Sequence, residues 1–226
     1  MSVATKKQER VNDILVRLKR SYPKAACTLD FTTPFELLIA TMLSAQSTDA
    51  RVNIVTKSLF RKYPDARAFA AAKQPEMERD VRQTGFFRNK AKAVIAASKA
   101  IVEKHAGEVP RTMEELTALP GVGRKTANVV LNAAFGEPTI AVDTHVFRVC
   151  NRTGLAPGKD PLEVEQKLLK VVPKKYLQDA HHYLILHGRY TCVAKKPLCG
   201  KCPVYAQCEF KEKKKFAALT PAAARG

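Results

Sequence analysis

Four cysteines near the end of the chain, Cys192, Cys199, Cys202 and Cys208, follow the spacing C-x6-C-x2-C-x5-C, and Lys125 stands directly behind a two-glycine turn in L-P-G-V-G-R-K. Clustered thiolates bind soft metals, and four of them fit either zinc or an iron–sulfur cluster. Zinc sites usually pair two short C-x2-C knuckles, whereas one loop of six residues followed by two tight ones wraps a bulkier object, which favours a 4Fe–4S cluster. Secreted disulfide scaffolds are shorter and denser in cysteine than this chain of 226 residues with six. Cys27 and Cys150 stand apart and read as buried small hydrophobes. Lys195 and Lys196 project from the first interval of the motif, so a metal-pinned loop would offer two cations to a phosphate backbone.

Lys125 admits two chemistries. Gly121, Val122 and Gly123 let backbone approach a ligand closely, and the N–H groups of the helix that starts at Arg124 favour an anion. On that reading Lys125 is one more phosphate contact. A neutral lysine amine is also a nucleophile toward an anomeric carbon, provided its ordinary pKa of about 10.4 is lowered, as desolvation and the adjacent Arg124 would do. The segment G-E-P-T-I-A-V-D-T-H then places Asp143 at the head of an apolar helical run. A helix cap there contributes about 1 kcal/mol. The same position keeps the carboxylate ionised, ready to stabilise positive charge on a sugar or to move a proton. His145 is a weaker candidate two residues on.

These residues need elements to hold them, and nearly every segment repeats at helical period. Val11, Ile14, Leu15 and Leu18 form one apolar stripe, and Val94, Ala97, Ile101 and Val102 form another. Thr33-Pro34-Phe35-Glu36, Asp160-Pro161-Leu162-Glu163 and Thr112-Met113-Glu114-Glu115 carry helix-start signals. Stops fall at Tyr63-Pro64, Gly85, Gly107 to Pro110, Gly136 to Pro138, Pro157-Gly158 and Pro173. The pattern predicts an all-α fold of about ten helices with short links.

A net charge of +18, from 39 Lys and Arg against 21 Asp and Glu, predicts attraction to a polyanion. No apolar run approaches the roughly 20 residues that span a bilayer, and the charged start lacks a secretory signal's apolar core, so nucleic acid is favoured over membrane. A soluble, cytoplasmic protein is expected, with residues 216–226 as a disordered basic tail.

The hairpin L-P-G-V-G-R-K, the G-E-P-x4-D segment and the four-cysteine spacing, in this order, resemble the endonuclease III family of the helix-hairpin-helix DNA glycosylase superfamily over roughly residues 8 to 213. The resemblance implies a bifunctional DNA glycosylase and AP lyase that removes oxidised pyrimidines such as thymine glycol, with Lys125 as nucleophile, Asp143 as its partner and a 4Fe–4S cluster on the four cysteines. It implies a monomer acting on double-stranded DNA with damaged bases or abasic sites. It also implies two helical domains: a six-helix module at 27–137, and a cluster domain from 1–26 and 138–215, with Lys125 and Asp143 facing each other. Gln46 and Phe86 correspond to the residues that fill and wedge the gap left by an extruded base. By themselves they read as a polar helix end and a core aromatic. The family often carries an aliphatic residue where Phe86 stands, and a bulkier ring could stack on bases. Two other readings compete: a monofunctional adenine-mismatch-type glycosylase, against which Lys125 speaks, and a non-catalytic DNA-binding module with a structural cluster.

Overall fold

Side-chain caps set the helix starts. Thr33 Oγ1 accepts from Glu36 N, Asp160 Oδ1 from Glu163 N and Thr112 Oγ1 from Glu115 N, each the first orphan amide within reach. Two carboxylates return the favour one residue before the cap, Glu36 accepting from Thr32 N and Glu163 from Lys159 N, while Glu115 accepts from the hydroxyl of the cap Thr112 itself.

The computed structural model describes residues 3–220, with side chains from Lys6 onward. Among them are α1 (Val3–Ser21), α2 (Pro34–Leu43), α3 (Asp49–Lys62), α4 (Ala66–Ala71), α5 (Gln74–Asp80) and α6 (Phe87–Lys104). There follow α7 (Met113–Ala118), α8 (Arg124–Phe135), α9 (Thr144–Thr153), α10 (Pro161–Val171), α11 (Lys174–Tyr190) and α12 (Lys213–Leu219). Short 3-10 turns occupy Arg82–Thr84 and Cys199–Lys201, and no strand occurs among the described residues. No described helix is long and apolar enough to cross a membrane.

The chain divides into two compact units, one Cys27–Glu137 and the other made of the residues before and after it. In the first unit α2 is apolar nearly all round, with Leu37, Leu38, Ile39, Ala40 and Leu43 fully buried, as a helix at the centre of a bundle must be. α8 packs on α2, and α4 on α6. Phe35, Phe60 and Tyr63 surround the Phe69 ring at 5.3 to 6.4 Å. Cys27 packs partly buried against this core.

In the second unit the stripe Val11, Ile14, Leu15 and Leu18 is wholly buried, and α1 lies on α11, which also holds α9. Cys150 is buried among these side chains, and burial pushes its thiol pKa up. A second tie joins the two ends of the chain. The half-buried Arg10 donates to the carbonyls of Thr153 at 2.9 Å, Gly154 at 2.7 Å and Gln207 at 2.8 Å, and pairs with Glu209 at 3.0 Å. It thereby satisfies the orphan carbonyls at the end of α9.

The expected tail from residue 216 is corrected in part: α12 runs to Leu219. Phe216 stacks on Phe210 with ring centroids 6.0 Å apart, Thr220 Oγ1 accepts from Gly200 N, and Lys213 Nζ donates to the carbonyls of Tyr205 and Cys208. A lysine-rich segment thus acquires partners that its composition does not announce. Residues 221–226 lie outside the described residues.

Replacing Arg10 by Ala strips three carbonyls of a charged donor and is expected to lower unfolding free energy by about 1.5–3 kcal/mol. Urea denaturation followed by helical circular dichroism measures it.

Candidate functional site

The hairpin is built on three buried side chains. Leu116, Leu119 and Val122 anchor the turn, and Val122 N donates to the Leu119 carbonyl at 3.1 Å. Gly121 has φ of +76°, and a Cβ there would meet Ala93 Cβ at 2.8 Å, so both conformation and space demand glycine. Gly123 is the N-cap of α8 and has no side chain to offer its amides, and a Cβ on it would touch nothing within 4 Å. The amide edge of α8 therefore faces open space without a side-chain cap, the arrangement that suits an anion. Lys125, the second residue of α8, is exposed beside it.

Gln46 and Phe86 belong to the same unit as the hairpin. Both are non-glycine residues in the left-handed region, with φ of 53° and 47°. Phe86 is 62% exposed, which corrects the reading of a core aromatic. Gln46, Phe86 and Gly121 line one pocket of about 300 Å³, together with Met42, Ala45, Asn89, Lys90 and Ala93. Three features separated by 75 residues of sequence are thus gathered at one place, and strain of this kind concentrates at functional surfaces.

In the other unit Asp143 is the N-cap of α9. Its Oδ1 accepts from His145 N and Val146 N, both at 2.8 Å, and Oδ2 makes no hydrogen bond among the described residues. The extended stretch leading to it is pinned from α11: the buried His181 Nδ1 lies 2.8 Å from the Ala141 carbonyl. A carbonyl only accepts, so Nδ1 carries the proton. One ring nitrogen of His145 is engaged within the same helix. Its Nδ1 faces Arg148 Nη2 at 3.2 Å, and because arginine only donates, this nitrogen is the acceptor.

Arg148 and Arg152 were not singled out by sequence, yet they hold the cysteine loop. Arg148 Nε donates to the Cys192 carbonyl at 2.9 Å and Nη2 to the Gly188 carbonyl at 2.8 Å. Arg152 donates to the carbonyls of Val193 and Ala194, both at 2.7 Å, approaches Cys192 Sγ at 3.7 Å and lies over the Phe210 ring. The signal available in sequence was two arginines four apart behind an N-cap aspartate, one face of one helix. Lys195 and Lys196 follow the gripped carbonyls and are exposed.

Cys192, Cys199, Cys202 and Cys208 line a single cavity with His187 and Phe210. No three His, Cys, Asp or Glu side chains among the described residues form a group ready for one metal ion. The four cysteines nevertheless line the same cavity, as ligands shared by one bound group would. The surroundings fit thiolates too: Phe210 N donates to Cys208 Sγ at 3.5 Å, and the Arg152 guanidinium stands by Cys192. Burial first, and the neighbouring sulfurs after it, push Cys199 and Cys208 up and Cys202 up to about 12. Thiols in this setting ionise when a metal takes the proton's place.

With this geometry, comparison with known proteins is specific. The model of the HhH-GPD superfamily base excision DNA repair protein matches residues 39–174. Endonuclease III of Haemophilus influenzae is 53% identical over 204 residues, covering 90% of this chain and 97% of its own. Endonuclease III of Escherichia coli K12 is 54% identical, covering 89% and 95%. Among solved structures, a trapped endonuclease III–DNA covalent intermediate superposes with a TM-score of 0.86 at 47% identity, over 92% of this chain and 97% of that one.

Cap and chemistry at Asp143 are separable. Asp143→Ala removes the cap and is expected to cost about 1 kcal/mol of stability, whereas Asp143→Asn keeps an oxygen for the two amides and changes stability by only a few tenths. Thermal unfolding of the two variants side by side tests this.

Proposed function

The chain belongs to the endonuclease III family of the HhH-GPD superfamily of base excision DNA repair proteins, and from that premise we propose that Lys125 is the nucleophile and Asp143 its charge-stabilising partner on oxidised pyrimidines such as thymine glycol. The family activity is that of a bifunctional DNA glycosylase and AP lyase. Two separate observations support the assignment: a lysine exposed beside a helix start with no side-chain cap, and an aspartate whose Oδ1 is held by two amides.

The chemistry follows from these groups. The α8 amides and the Gly121–Gly123 turn hold a phosphate, which fixes the register of the strand. Extruding the damaged nucleotide costs a few kcal/mol of stacking, and Gln46 and Phe86 fill the space it leaves. The neutral amine of Lys125 attacks C1′ while the C1′–base bond breaks and the base departs with its electron pair. Asp143, whose Oδ1 is held by two amides of α9, stabilises the positive charge that develops on the sugar and takes the proton shed by the nitrogen newly bound to C1′, directly or through water. Ring opening leaves an imine between Nζ and C1′, and loss of a C2′ proton expels the 3′ phosphate by β-elimination. The imine is then hydrolysed.

His145, Arg124, Lys195 and Lys196 add backbone contacts, and the four cysteines would hold a 4Fe–4S cluster whose part is to stiffen the loop that carries Lys195 and Lys196. The protein works as a monomer on duplex DNA in the cytoplasm.

Borohydride added during reaction with a thymine-glycol duplex is expected to trap a covalent protein–DNA adduct with the wild type and none with Lys125→Ala. Asp143→Asn should slow base release by about 10²- to 10⁴-fold. Base release without an adduct would favour the adenine-mismatch-type mechanism, and neither base release nor adduct would favour a binding module. Separately, the purified protein should carry iron, sulfide and broad visible absorption, with Cys202→Ser losing most of it. A colourless zinc protein would refute the cluster.

A further inference from the structure

We infer that Lys90 is the positioning residue that holds Phe86 outward as a preformed wedge, an inference that rests on the role of Phe86 proposed above. A left-handed conformation costs a non-glycine residue on the order of 1–3 kcal/mol and persists only where its surroundings enforce it. Phe86 has that conformation, is 62% exposed, and precedes α6 with no side-chain cap on the helix. Its own ring therefore supplies little of the enforcement.

Lys90 supplies it from behind. Although a lysine, it is only 7% exposed, and its Nζ donates to the Thr84 carbonyl at 2.7 Å. Its backbone N donates to the Phe86 carbonyl at 3.1 Å. One residue thus grips the chain on both sides of the bend at Gly85, whose φ is 71°. The far anchor is firm: Thr84 is 2% exposed, with Oγ1 donating to the Val81 carbonyl at 2.8 Å and N to the same carbonyl at 3.0 Å. A second tie to this turn, Arg51 to Gln83 at 3.0 Å, is exposed and correspondingly weak.

The residue type supports the assignment. Burying an ammonium carries a desolvation cost that an apolar side chain of the same volume avoids. Burial here lowers the Lys90 pKa, the sign of that cost. What an apolar side chain could not provide is the bond to the Thr84 carbonyl. Lys90 also lines the pocket shared by Gln46 and Phe86, so the grip borders the same space as both left-handed residues.

Lys90→Met keeps length and volume without a donor, and Lys90→Gln retains an N–H. Amide hydrogen exchange of the free protein reads the positioning directly. Lys90→Met is expected to speed exchange at Thr84 and Gly85 about tenfold, with Val94 and Ile101 of the same helix unchanged and Lys90→Gln intermediate. Unchanged exchange at Thr84 and Gly85 overturns the inference, as does loss of protection along all of α6. Single-turnover base excision gives the second readout. Lys90→Met and Phe86→Ala should each lose the same factor, roughly 10- to 100-fold, on a lesion paired in duplex, and neither should lose rate on the same lesion in an unpaired bulge. The double variant should be no slower than either alone; additive losses, or a loss on the bulged lesion, overturn the inference. Should Phe86→Ala excise from duplex at the wild-type rate, the wedge role itself fails, while the exchange data still decide whether Lys90 holds the turn.

Discussion

A helix of ten residues cannot satisfy its own ends, and in α9 both ends are closed by side chains that serve a second purpose. Asp143 takes the first amides and keeps one carboxylate oxygen for other use. Arg10, from the other end of the chain, takes the last carbonyls. Between them Arg148 and Arg152 project from one face and grip successive carbonyls of the cysteine loop from Cys192 to Ala194. The candidate catalytic carboxylate and the grip on the cysteine loop are thus mounted on one short helix.

The Cys27–Glu137 unit uses a different device. Its central helix is α2, buried almost all round, and one pocket on its surface gathers three backbone positions in the left-handed region: Gln46, Phe86 and Gly121. Left-handed backbone alone does not mark function. Ala106 has φ of 55° as well, at the end of α6, where Gly107 N closes back onto the Ile101 carbonyl and the conformation is a helix stop. Ala106 is exposed too, so what separates the first group from it is the shared pocket.

Charge divides in the same manner. Arg10, Arg148, Arg152 and Lys90 are buried or half-buried and donate to backbone carbonyls. Lys125, Lys195 and Lys196 are exposed. A net charge of +18 therefore overstates the cations available to a phosphate backbone, because part of it holds the fold together. Only the exposed share responds strongly to salt.

Local chemistry was legible in the sequence wherever the physics is local. Thr33, Thr112 and Asp160 cap helices because a short polar side chain reaches an amide three residues on, and the stripe from Val11 to Leu18 is buried because helical period puts those residues on one face. The hairpin glycines, Asp143 as a cap and the cysteine spacing belong to the same class. What sequence could not show is which distant backbone groups lack partners. Arg10, Arg148 and Arg152 acquire their roles from carbonyls 40 to 197 residues away, Phe86 is exposed because the turn before α6 points it outward, and Lys90 is buried because Thr84 returns to meet it. Those pairings exist only once the chain has closed on itself. Hydrogen-bond demand is set by the packed backbone, and only tertiary structure decides which side chain answers it.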